Sequence, residues 1–155
     1  MPRGGTRVLR TLTVSALLAL TAVASPAAAE TAGTTAQRAA AETAYFEMTD
    51  VTQERFVVQL TDPAKIQHAR DLISGATAEK PHVVGRITPR PAPFNPRWGY
   101  HYRPETVDFF DVSIEVCDAT IPYVEDHLEE AGGAFLPGYV WCPWTSRLVR
   151  EVPAP

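Results

Sequence analysis

Residues 62–75, DPAKIQHARDLISG, decide how the chain is read. Asp62 stands where a helix N-cap accepts a first-turn amide, Pro63 suits the first helical position, and Gly75 supplies a stop. Between them Ile66, Ala69, Leu72 and Ile73 recur at spacings of three and four and share one face. The stretch is a short helix, punctuated at both ends, with one stripe to bury. Upstream, AYFEM (residues 44–48) and RFVVQL (55–60) are strand-like runs joined by a polar turn, which predicts a hairpin. Downstream, HVVGRITPR, beginning at His82, reads as another strand. FDVSIEV (110–116) alternates most clearly, with Phe110, Val112, Ile114 and Val116 on a core face and Asp111, Ser113 and Glu115 in water. A second helix follows Asp118 with Ile121, Val124, Leu128 and Ala131 on one stripe, and Gly132-Gly133 ends it. YVWCPWTSRLV (139–149) is aromatic and β-prone. This order, with short connections, predicts a single small α+β domain: an antiparallel sheet with two helices packed on one face. There are no internal repeats.

The first 29 residues read as a secretory signal peptide: Arg3, Arg7 and Arg10, then the apolar run TLTVSALLALTAV, then Ala27-Ala28-Ala29 as a cleavage site near Ala29. The apolar run is shorter than the roughly 20 residues of a lipid-spanning helix and is followed by Pro26, so no membrane span is expected in the mature protein. Residues 30–43, rich in Ala and Thr, read as a flexible leader, and the domain as residues 44–152. Cleavage removes three arginines and no acids, taking the formal net charge from −4 to −7. An acidic mature protein lacks the basic footprint of a nucleic-acid or anionic-membrane binder. The two cysteines, Cys117 and Cys142, read as a disulfide in an oxidising compartment.

Residues 91–102, PAPFNPRWGYHY, hold three prolines and four aromatic rings. The prolines keep the backbone extended, and Trp98, Tyr100 and Tyr102 alternate as on a strand. One reading places these rings in the core. The other gathers Arg97, Trp98, Tyr100, His101, Tyr102 and Arg103 into an exposed patch for a protein, peptide or glycan ligand. The surrounding charge is segregated. From Lys80 through Arg103 every ionisable side chain is basic or histidine, whereas residues 105–130 hold nine acids, no lysine or arginine, and His127. The simplest account is cross-strand pairing of Arg86 and Arg90 with Asp111 and Glu115; the alternative is a bipolar surface that meets an acidic ligand on one side and a cationic one on the other.

Catalytic spacing signatures are missing: no nucleophile elbow, HExxH, phosphate loop or calcium loop occurs. His101 and His127 with Asp118 form the one candidate constellation for a small hydrolase or metal enzyme, but none stands at metal-ligand spacing with another, and neither a metal nor a cofactor is expected. TDPAKIQHARDLISG, HVVGRI, PAPFNP, IEVCDATI, EDHLEEAGGAFLPG and WCPW together resemble a family of small calmodulin-binding-type proteins of amoeboid eukaryotes and exported proteins of filamentous bacteria. The resemblance covers nearly all of residues 44–152 and implies calmodulin as a partner only by the family's label. Neither helix here is the basic amphipathic kind calmodulin takes. The expectation is a secreted, non-enzymatic binding module, with a secreted peptidase inhibitor as the alternative beside the enzyme.

Overall fold

The computed structural model describes residues 42–112 and 115–155. The signal-peptide reading and most of the leader lie outside these residues, as do Ser113 and Ile114 of the FDVSIEV run. The predicted hairpin is present. β1 (Ala44–Thr49) and β2 (Arg55–Leu60) pair antiparallel with Phe46 opposite Val58. Ala44, Phe46 and Met48 face the core together with Phe56, Val58 and Leu60, so both strands bury alternate residues. The chain's last strand, β9 (Arg147–Val152), returns to the other side of β1 and completes a sheet of order β2-β1-β9.

Helix α1 (Pro63–Ser74) matches its sequence signals. Asp62 Oδ1 accepts the Ala64 N–H at 2.8 Å, and Gly75, at φ 77°, turns its own N–H back to the last carbonyls. Ile66 and Ala69 are fully buried, and Leu72 and Ile73 pack on the core. The helix lies across β2 and β9.

A second sheet forms about β3 (His82–Thr88). Along one edge run β4 (His101–Tyr102) and β5 (Asp108–Phe110), joined by a 3-10 turn at Pro104–Thr106; along the other runs β8 (Val140–Trp141). Arg103 N–H donates to Arg86 O on the first edge, while Ile87 N–H donates to Tyr139 O on the second. Ser146, just before β9, ties the two sheets: its hydroxyl accepts the Val83 N–H, and its carbonyl meets His82 Nδ1 at 2.8 Å. Helix α2 (Ile121–Asp126) is followed by a 3-10 turn, Leu128–Glu130, and by the two-residue strand β6 (Ala131–Gly132) beside β7 (Phe135–Pro137). The molecule is thus a small α+β domain of antiparallel sheets, two helices and the Cys117–Cys142 disulfide, whose Cα atoms stand 5.1 Å apart.

Three details differ from the sequence reading. The strands divide between two main sheets. The helices also pack separately: α2 sits at the β1–β2 turn, where Asp50 Oδ2 accepts the Ile121 N–H at 2.6 Å. The FDVSIEV strand stops at Phe110, because β3 begins at His82, opposite that residue, and offers no backbone beyond it. Val112 and Val116 are consequently exposed, and residues 115–117 form a 3-10 turn that brings Cys117 to Cys142. The same register prevents the expected Arg86–Asp111 pairing: Asp111 Oδ1 accepts the Lys80 N–H, and Arg86 donates to Gly138 O.

Replacing both cysteines by serine is expected to lower the unfolding free energy by about 3 kcal/mol, read from denaturant titration, because the bridge closes a 25-residue separation. A second, smaller tie is pH-dependent. Arg70 forks onto Glu151 with N–O distances of 2.8 and 2.9 Å, and this hydrogen bond holds the Glu151 carboxyl below its ordinary value of 4.5. A lowered folded pKa means the contribution is complete above about pH 4.5 and is lost as pH falls through the folded value. The pair is surface-exposed, so the effect is under about 1 kcal/mol. Glu151→Gln should therefore flatten part of the acid limb of a stability–pH profile and leave neutral-pH stability lower by that small amount.

Candidate functional site

The six residues 97, 98 and 100–103 do not form one exposed patch. Trp98, Tyr100 and Tyr102 are buried, with 6%, 0% and 1% of their surface accessible. Tyr100 and Tyr102 meet Phe56 and Trp141, all ring centroids lying between 4.9 and 5.8 Å apart where contacts are made. Burial pushes both phenols well up, so they remain neutral donors: Tyr100 to Ile121 O at 2.9 Å and Tyr102 to Trp141 O at 3.4 Å. Arg97 forks onto Glu54 and lies over the Trp98 ring at 4.9 Å. Arg103 donates to Thr88 Oγ1 and sits 5.9 Å from the Tyr139 ring. His101 meets Arg90 O at 2.7 Å.

The stretch instead closes an open sheet edge. Asn95 is buried; its side-chain oxygen accepts the Val57 N–H at 2.7 Å, and its amide nitrogen donates to Val57 O at 2.6 Å. Trp98 Nε1 donates to Arg55 O at 2.7 Å. These are the groups that a further strand would pair on the outer edge of β2, and covering them removes an aggregation-prone template. Asn95→Ala should cost about 2 kcal/mol in denaturant unfolding, because it strands two buried backbone groups, whereas Arg97→Ala, an exposed pair, should cost under about 1 kcal/mol.

His101, His127 and Asp118 also lie in separate settings. His101 uses Nδ1 on Arg90 O, His127 uses Nδ1 on Tyr123 O, and Asp118 Oδ1 accepts the Trp144 N–H. Among the described residues no group of three or more His, Cys, Asp or Glu side chains is placed to hold a metal ion.

A cleft opens where the acidic helix meets the loop after it. It measures about 480 Å³ and is lined by Glu115, Val116, Asp118, Ala119, Thr120, Tyr123 and Phe135. Tyr123, 49% exposed, stacks on His127 at 4.0 Å and meets Phe135 edge-on at 5.6 Å. The floor is held from below: Cys117 is bridged to Cys142, Cys142 N–H donates to Cys117 O, and Trp141 Nε1 donates to Ala119 O at 2.8 Å. The loop carrying Phe135 is equally fixed. Leu136 and Tyr139 adopt φ of 44° and 65°, a left-handed backbone that costs bulky residues about 1 kcal/mol or more each. Gly132, at φ 92°, lies under the Tyr139 ring, where a Cβ would stand 2.5 Å from ring carbon. Fully buried Leu136, the Arg86–Gly138 contact and the Ile87–Tyr139 hydrogen bond offset that strain. Next to Asp118, Trp144 Nε1 is buried without a hydrogen-bond partner.

Chemically the cleft pairs two carboxylates, Glu115 and Asp118, with exposed aromatic faces. Ring faces carry negative quadrupole charge, so both groups favour a cation. The acidic run was legible in the sequence. Its convergence with Phe135 was not, because residues 133–138 read only as a Gly/Pro loop.

Residues 42–155 match the family model for the N-terminal domain of a calmodulin-binding-type protein family. The chain belongs to this family. No curated protein and no solved structure matches it. The match spans every described element of this family domain, from β1 through β9, and includes both the Asn95-covered edge and the aromatic–acidic cleft. No helix among the described residues is long and apolar enough to cross a membrane.

Proposed function

We propose that this member of the calmodulin-binding-type family is an exported, non-enzymatic binding module, and that its cleft between α2, the 115–120 segment and Phe135 receives a cationic side chain, lysine or arginine, from a peptide or protein partner. The observation that carries the reading is the placement of Tyr123 and Phe135 beside Glu115 and Asp118 on a floor braced by the Cys117–Cys142 disulfide. A site rigid before binding loses little ordering entropy when a ligand arrives. Export is supported by the Arg-flanked apolar leader and its Ala-Ala-Ala cleavage signature. Calmodulin takes basic amphipathic helices, and α2 carries acids instead, so the domain is suited to receive a basic partner and not to act as a calmodulin target itself.

The test is calorimetric titration of the oxidised protein with a lysine- and arginine-rich peptide, and with a glutamate-rich peptide of equal length. Saturable binding of the basic peptide is expected, weakened about fivefold by Tyr123→Ser and by Glu115→Gln, since a cation–π contact or a single charge pair contributes about 1 kcal/mol. Glu79→Gln, an equal change of charge outside the cleft, should leave it intact. Equal losses in all three variants, or no binding of the basic peptide, would refute the reading.

A further inference from the structure

The outer face of the β2-β1-β9 sheet carries an arrangement that the cation-binding reading does not use. Tyr45, Glu47 and Thr49 of β1 point away from the core, and in register they stand beside Gln59, Val57 and Arg55 of β2. On the other side Glu47 faces Arg150, and Thr49 faces Arg147, so Arg55 and Arg147 flank the same threonine on one sheet face. Strands lie about 4.8 Å apart, so the two Cα atoms are separated by about 10 Å across β1. A strict two-residue period would send Arg147 and Arg150 to opposite faces. The register shift between Glu47 and Met48 inserts an extra residue into β9 at Val149 and turns both arginines outward.

The charges do not balance. Glu47, buried among its neighbours, is held by Arg150 Nη2 at 2.9 Å through one oxygen and by Arg55 Nη1 through the other. One arginine neutralises one carboxylate, and Arg150 lies outside the cleft. Inside it, Arg55 and Arg147 remain with a single shared Glu47, and Arg147 makes no hydrogen bond or ion pair among the described residues. Like charges flanking one strand repel unless a counter-charge sits between them. The space between them is a cleft of about 310 Å³, lined also by Leu148, Val149 and Gln53, whose φ of 64° is unusual for that residue.

We propose that this cleft is an oxyanion site, in which the guanidinium groups of Arg55 and Arg147 clamp a tetrahedral dianion, phosphate or sulfate, free or as an ester on a larger ligand. Planar guanidinium forks match such oxygens, and the bulge supplies the second fork. The site is on a different sheet face from the aromatic–acidic cleft and stands or falls separately from it.

The experiment is a titration of the full, oxidised protein with inorganic phosphate near pH 7.5, following the arginine Nε–Hε resonances. Saturable shifts at Arg55 and Arg147 are expected, with affinity reduced about fivefold or more by Arg147→Ala and unchanged by Arg90→Ala, an exposed arginine on another element. Arg147 has no partner among the described residues, so its removal should leave the unfolding midpoint unchanged, and Arg147→Lys should retain part of the affinity. Parallel titrations with sulfate, phenyl phosphate and acetate identify the source: tighter phenyl phosphate binding assigns the site to esters, and equal binding to free ion. Acetate binding as tightly as phosphate, equal weakening by Arg90→Ala, or no saturable shift with either tetrahedral ion would overturn the proposal.

Discussion

Phe56 is the ring on which the two sheets converge. It belongs to β2, yet its contacts are Tyr100, Tyr102 of β4 and Trp141 of β8, at 5.0, 5.8 and 5.2 Å. Once these four rings pack, much of the remaining geometry follows. Residues 91–99 must cross the edge of β2 to bring Tyr100 inside, and in doing so they bring Asn95 to the Val57 peptide. Tyr100, buried, needs an acceptor for its hydroxyl and takes Ile121 O, which sets the start of α2. Tyr102 packs so closely over Gly85 that a Cβ there would lie 2.9 Å from the ring, so β4 can close on β3 in this way only because residue 85 has no side chain.

The same packing distributes the charges. Most of the basic run between residues 80 and 103 is consumed by the scaffold: Arg86 on Gly138 O, Arg97 on Glu54, Arg103 on Thr88 and the Tyr139 ring. What remains available on the surface is a carboxylate pair beside aromatic faces near the disulfide, and an unpaired arginine beside a shared one on the outer sheet face. The bipolar character legible in the composition therefore survives, but its positive pole moves from the 80–103 segment to β2 and β9.

Local signals predicted local structure well. Helix α1 carries its cap, its proline, its stripe and its stop within 14 residues, and each acts through neighbours in sequence. FDVSIEV carried an equally clear period and did not form the predicted strand beyond Phe110, because a strand needs a partner and β3 supplied none past His82. Alternation reports what a segment would bury if paired; the pairing depends on another part of the chain. The ring stretch 91–102 was ambiguous for a related reason. Aromatic alternation suits a core strand and a surface patch equally, and burial against Phe56 and Trp141 decided it.

By itself the sequence determined the α+β class, the hairpin, α1, the disulfide pair and the segregation of charge, since these rest on contacts between near neighbours or on residue counts. Only the tertiary structure decided which rings are buried, that Asn95 closes an edge, that Phe135 meets Tyr123, and that a bulge at Val149 brings Arg147 beside Arg55. Each of these depends on residues apart in the chain, and strand register, which a one-residue shift reverses, is fixed by the packing of the whole core.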